Sequence, residues 1–152
     1  MEFSVASFFS AFRSAPRPDF DEITLHRCWE CDDIRDQLSN HDVDDVPIDF
    51  LDYHGDGLTL LSAKAYRYYL PAYVRHSCDF RDATVTDYVL FSLSPDNPSD
   101  EFWADRCDDF TAEEIEAVLA YLRFRRTWDD ASVDEKWIGS GIQFWEKRLT
   151  CS

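Results

Sequence analysis

Residues 58–77 read LTLLSAKAYRYYLPAYVRHS, and the fold class follows from them. Leu61, Ala65, Tyr68, Tyr69, Ala72, Tyr73 and His76 recur at spacings of three and four, the period of one helical face, while Lys64, Arg67 and Arg75 fall off that stripe. The spacing predicts a long central helix that turns its aromatic side into a core. Pro71 lies inside it and removes a backbone donor. That predicts a kink, because a mid-helix proline costs about 3 kcal/mol unless packing compensates.

Downstream, residues 84 to about 93 read as a helix with Thr84 and Asp87 near its start and Pro95 and Pro98 closing it. The segment SDEFWADRCDD that follows reads as a loop holding one helical turn. Thr111 with Glu114 makes a capping box for a helix bearing Ile115, Val118, Leu119 and Leu122 on one face. Ser132 with Glu135 makes another for a helix bearing Ile138, Ile142, Trp145 and Leu149. Arg123, Arg125 and Arg126 close the first of these two helices, where the macrodipole favours cations.

Upstream, residues 41–58, HDVDDVPIDFLDYHGDGL, combine six Asp with one Pro and two Gly and hold no sustained period. They read as an exposed acidic loop with room for one short strand or hairpin. Before it, Asp21 is placed to cap a helix ending near Asn40, with Arg27, Cys31, Ile34 and Leu38 in one stripe. At the start of the chain, Val5, Phe8, Phe9 and Phe12 share a helical face, and Pro16 and Pro18 stop the helix. No repeat or linker divides the chain. The expected fold is therefore mainly α, a compact single-domain bundle of about six helices over residues 1–152.

Fifteen basic against thirty-one acidic side chains give a net charge of −16. A disordered acidic chain would be poor in aromatics, and this one is 16% aromatic, so its acidity belongs to a folded protein. The charge opposes approach to phosphate backbones and anionic membranes, which makes nucleic acid and membrane poor partners, and it would speed encounter with a basic protein. Acidity also serves solubility and salt adaptation, to which the excess of 22 Asp over 9 Glu is suited. No basic residue precedes the apolar part of the N-terminal segment, and no stretch approaches a membrane span, so a cytoplasmic location is expected. Five cysteines are an odd number in a chain large enough to need no disulfides, and free thiols are expected.

The helix at residues 65–72, AYRYYLPA, resembles the A/G-[FY]-R-[FY]-Y-[LF]-P-A helix of a family of small bacterial proteins carrying a domain of unknown function. HRCWEC upstream and the leucine-striped helix over residues 111–126 extend the resemblance to about two thirds of the chain. It implies no activity. In type, though not in motif, small acidic proteins of this kind resemble the immunity proteins that accompany bacterial toxins.

Several clusters could carry chemistry. His26, Cys28 and Cys31 form an H-x-C-x-x-C run of zinc-type ligands, but no second pair completes a standard spacing. On one continuous helix these positions would also lie about 200° and 300° apart. Core cysteines, a zinc site and a dithiol redox pair are the readings this run leaves open, and no cofactor is expected. The Asp-rich segment does not fit an EF-hand. From Asp42 the sixth position is Pro47 and the twelfth Tyr53, and from Asp52 the twelfth is Ala63.

No nucleophile elbow, phosphate loop or deaminase signature is present. Tyr66, Tyr68, Tyr69 and Tyr73 read as core. The expectation is a non-enzymatic binding protein of immunity or antitoxin type. It would meet a basic toxin or effector through Asp42, Asp44, Asp45, Asp49, Asp52, Asp56 and Tyr53, with Phe50 and Trp103 as further aromatic anchors. The alternatives are a metal-binding or redox protein built on His26, Cys28 and Cys31, and a regulatory adaptor or dimerising structural protein.

Overall fold

A computed structural model describes residues 2–95, 105–128 and 131–151, with the side chains of 131–133 outside the description. Trp103, Pro98 and the cap expected at Ser132 fall outside it. The protein is mainly helical, and its contacts divide it into two compact units, Ser14–Val89 and Met1–Arg13 with Leu90–Ser152.

In the Ser14–Val89 unit the helix expected from Asp21 does not form as one piece. A 3-10 turn, Phe20–Glu22, is closed by the Glu22 side chain accepting the Asp19 N–H at 2.9 Å. The chain then runs extended, and Thr24 makes an isolated antiparallel bridge with Leu61. Helix α2, Trp29–Leu38, starts only at Cys28, which serves as its N-cap. Arg27 is therefore exposed ahead of the helix, while Cys31, Ile34 and Leu38 are buried as their spacing requires.

The acidic segment consists of short helical pieces: a 3-10 turn at Val43–Asp45, helix α3 at Ile48–Tyr53 and a 3-10 turn at Gly57–Leu60. Each is too short to show a period. Contacts with the central helix α4, Ala63–Asp79, hold the first two in place. The Val43 N–H donates to Tyr68 Oη at 3.3 Å, and Arg75 Nη1 donates to the Asp44 carbonyl at 3.1 Å.

Helix α4 begins where Ser62 Oγ accepts the Ala65 N–H at 3.1 Å, and it runs on through Pro71. It is buried more widely than its stripe. Tyr66, Leu70, Val74 and Ser77 are covered along with Ala65, Tyr69, Ala72, Tyr73 and His76, and only Tyr68 of the helical stripe stays partly exposed. This wide burial is what compensates the proline. Tyr69 Oη donates to the Leu38 and His41 carbonyls at 2.9 and 3.0 Å, tying the end of α2 to the start of the acidic segment.

Helix α5, Thr84–Ser92, gives its first residues to this unit and its last to the other.

In the other unit, α1, Val5–Ala11, is opened by a reciprocal Ser4 and Ser7 capping box and ends before Pro16, capped by Phe12. Of the segment read as a loop with a helical turn, residues 105–107 are helical and 99–104 lie outside the described residues. Helix α6, Ala112–Arg125, packs on α1 and on α7, Ala131–Cys151. The Thr111 capping box is present, with Thr111 N–H to Glu114 Oε1 at 2.7 Å and Glu114 N–H to Thr111 Oγ1 at 3.2 Å.

The three arginines at the end of α6 mainly engage α7. Arg123 pairs with Glu146 at 3.2 Å, and Arg126 grips Glu135 at 3.1 and 2.7 Å. The buried Arg125 lies 3.4 Å from Asp134 and stacks over Trp128. Trp145, fully buried, donates its Nε1–H to the Leu93 carbonyl at 2.9 Å.

Candidate functional site

Helix α3 has one buried side and one open side. Phe50 and Leu51 are buried, whereas Ile48, Asp49, Asp52 and Tyr53 are exposed. The i, i+4 spacing sets Ile48 beside Asp52 and Asp49 beside Tyr53, so the open face is two apolar side chains interleaved with two carboxylates. Ile48 is 53% and Tyr53 68% exposed, more than a six-residue helix needs to leave outside. Phe50, an anchor expected from the sequence, belongs to the core instead. It packs against the His54 ring at 5.2 Å between centroids.

All six aspartates of residues 42–56 are exposed, but they are of two kinds. Asp42 pairs with Arg17, whose Nη2 also donates to the Ser39 carbonyl at 2.9 Å. Asp45 lies 3.7 Å from His41. Asp52 accepts from His76 Nε2 at 2.9 Å. Asp44, Asp49 and Asp56 have no side-chain ion pair among the described residues, although the Arg75 guanidinium rests on the Asp44 carbonyl.

Two buried histidines reach surface carboxylates in this unit. The His76 and His54 side chains are each only 2% exposed, and each reaches a carboxylate at the surface: Asp52 in one case and Asp33, at 2.7 Å, in the other. A carboxylate only accepts, so Nε2 carries the proton in both rings. The His54 hydrogen bond, with a second from Gln37, holds the Asp33 carboxyl below the usual carboxylate range. Burial pushes the Tyr69 phenol up to about 12 and the Tyr73 phenol higher still. These tyrosines stay neutral and act as core, as their helical spacing suggests.

His26, Cys28 and Cys31 have separate roles. His26 is exposed, Cys28 is the exposed cap of α2, and Cys31 is fully buried one turn inside it. Among the described residues no group of three or more His, Cys, Asp or Glu side chains gathers as metal ligands. All five cysteines are free thiols. No helix among the described residues is long and apolar enough to cross a membrane.

Sequence reasoning missed the two His–Asp pairs, which join residues 21 and 24 positions apart with no local signal. It also missed the exposure of Ile48, which a count of apolar residues assigns to the core.

The AYRYYLPA helix sits at the centre of the Ser14–Val89 unit, and the capped, leucine-striped α6 at the centre of the other. Both fall within one family match. The chain belongs to the family of unknown function DUF6714. The match covers residues 11–149, so it takes in the acidic segment, the cysteine pair and both units. No curated protein and no solved structure matches the chain.

Proposed function

We propose that this DUF6714 chain is a non-enzymatic binding protein of immunity or antitoxin type, which neutralises a basic toxin or effector in the bacterial cytoplasm by direct contact. The observation that carries this reading is the open face of α3, where Ile48 and Tyr53 stand exposed beside the carboxylates of Asp49 and Asp52. Rigid aromatic and aliphatic anchors set beside charge are the pattern of interface hot spots. The buried His76 holds Asp52 in place from below, so less order remains to be gained on binding. Asp44, Asp49 and Asp56 would steer the partner, and Tyr53 with Ile48 would retain it.

The test takes the products of the genes beside this one as candidate toxins, with growth rescue and association kinetics as readouts. Two unit charges 8 Å apart in water attract by about 0.5 kcal/mol, which physiological salt cuts to about 0.2 kcal/mol. With one basic partner group for each, and about 0.4 kcal/mol left per pair at about 0.01 M salt, D44N/D49N/D56N slows association roughly eightfold at that salt and two- to threefold at physiological salt. Tyr53→Ala leaves association alone and speeds dissociation by about tenfold or more. Association and dissociation rates that neither variant changes would overturn the assignment of this face.

A further inference from the structure

The Cys28–Cys31 pair has an asymmetry that the binding role does not use. Cys28 sits at the N-cap of α2, exposed, with its Sγ accepting the Cys31 backbone N–H at 3.4 Å. Cys31 is completely buried one turn later, and its backbone N–H is the donor that faces the Cys28 sulfur. The Cys31 N–H, followed by the Cys31 thiol, holds Cys28 below the ordinary cysteine range, while burial pushes Cys31 up. One sulfur is thus open and held by a backbone donor that favours its thiolate, and the other is shielded one turn along the same helix. Trp29, next to Cys28 in the chain, is 74% exposed, and Leu25, three residues before it, is 51% exposed, so apolar surface is available along this stretch.

We propose that Cys28 and Cys31 form a thiol–disulfide exchange site, in which Cys28 is the nucleophile toward an organic disulfide carrying positive charge and Cys31 is the resolving thiol. The Cys28 thiolate attacks one sulfur of R–S–S–R. The S–S bond breaks, and one RS⁻ leaves with the electron pair and takes a proton from water. Cys31 then loses its proton to solvent and bonds to Cys28 Sγ, expelling the second RS⁻, which is protonated in turn. The protein dithiol is oxidised by two electrons to an internal disulfide, and the substrate disulfide is reduced to two thiols. Positive charge on the substrate follows from the surroundings: Ser14–Val89 carries sixteen acidic against seven basic side chains, Glu30 among those nearest the sulfurs.

The test is to treat the whole chain with cystamine, a small cationic disulfide, and to follow each thiol by peptide mass. Cys151 is exposed in the same chain and serves as the internal reference. Cys28 should react at least tenfold faster than Cys151, and the wild type should end with a Cys28–Cys31 disulfide, losing two hydrogens. Cys31→Ser should halt at a stable mixed disulfide on Cys28. Cys28→Ser keeps a good N-cap residue and should leave Cys31 unreactive. If Cys28 reacts no faster than Cys151, or if Cys31→Ser and the wild type accumulate the same mixed disulfide, the site is refuted.

Discussion

Gly139 and Gly141 lie two residues apart in α7 and should respond to alanine in opposite directions. Both are interior helical positions, so each substitution gains about 1 kcal/mol of helix propensity. Among the described residues, a Cβ on Gly139 would meet only Arg126 Nη2 and Glu135 Oε1, each at 3.7 Å, which is ordinary contact. A Cβ on Gly141 would lie 2.6 Å from Ser94 Oγ, 3.0 Å from the Leu93 carbonyl oxygen and 3.1 Å from Leu122 Cδ1. The serine hydroxyl can rotate away. The Leu93 carbonyl cannot give way freely, because it accepts the Trp145 Nε1–H at 2.9 Å.

Overpacking of this kind costs about 1–3 kcal/mol. Gly139→Ala is therefore expected to stabilise by up to about 1 kcal/mol, and Gly141→Ala to destabilise by up to about 2 kcal/mol. The propensity gain cancels between the two, so their difference isolates the close approach. Urea unfolding followed by intrinsic tryptophan fluorescence, to which the buried Trp145 contributes, measures it. At about 2 kcal/mol per M of denaturant, a difference of 2 kcal/mol separates the midpoints by about 1 M. A Gly141→Ala midpoint at or above that of Gly139→Ala would refute the reasoning.

Two further expectations concern charge. Arg125→Ala strips a buried guanidinium from Asp134 and from the face of Trp128 and should cost about 3 kcal/mol in urea unfolding. Arg123→Ala, which breaks an exposed pair with Glu146, should cost under about 1 kcal/mol, and equal losses would contradict the burial of Arg125. The lowered Asp33 carboxyl contributes stability above the unfolded pKa of about 3.9 and loses it as pH falls through the folded value. Asp33→Asn should therefore be less stable than the wild type near neutral pH and match it once that carboxyl is protonated. A gap that stays constant down to pH 3 would show that the His54 bond is not its source.

Helices long enough to repeat a face were readable in the sequence. The α4 stripe, the Thr111 box of α6 and the buried Ile138, Ile142 and Trp145 of α7 lie where their spacing puts them. Local chemistry suffices there, because one cap and three turns agree with one buried side. It fails over residues 41–58, where the pieces hold three to six residues and are fixed by Tyr68, Arg75 and His76 of another helix.

The start of α2 was misplaced for a similar reason. Asp19 and Glu22 close a turn of their own, and the Thr24–Leu61 bridge keeps the chain extended until Cys28. A sulfur cap is a weak acceptor and gives no standard sequence signal, so a feature invisible to the helix reading is the one that sets the cysteine chemistry.

One field governs both the binding face and the thiol pair. A group of carboxylates that hastens a basic protein also raises the local concentration of any cation near Cys28 and lowers that of anions. The same charges work against the thiolate, since Glu30 opposes the pull of the Cys31 N–H. The site is thus weakly activated by electrostatics at long range and mainly by one backbone donor at short range, and salt separates these two contributions. Raising ionic strength screens the carboxylates and leaves the 3.4 Å contact untouched. Cystamine should therefore react faster than the anionic glutathione disulfide at low salt, and their rates should converge as salt rises, while Cys28 stays ahead of Cys151 throughout. A ratio of the two disulfides that salt leaves unchanged would place the preference in contacts with Trp29 and Leu25 and remove the field from the argument.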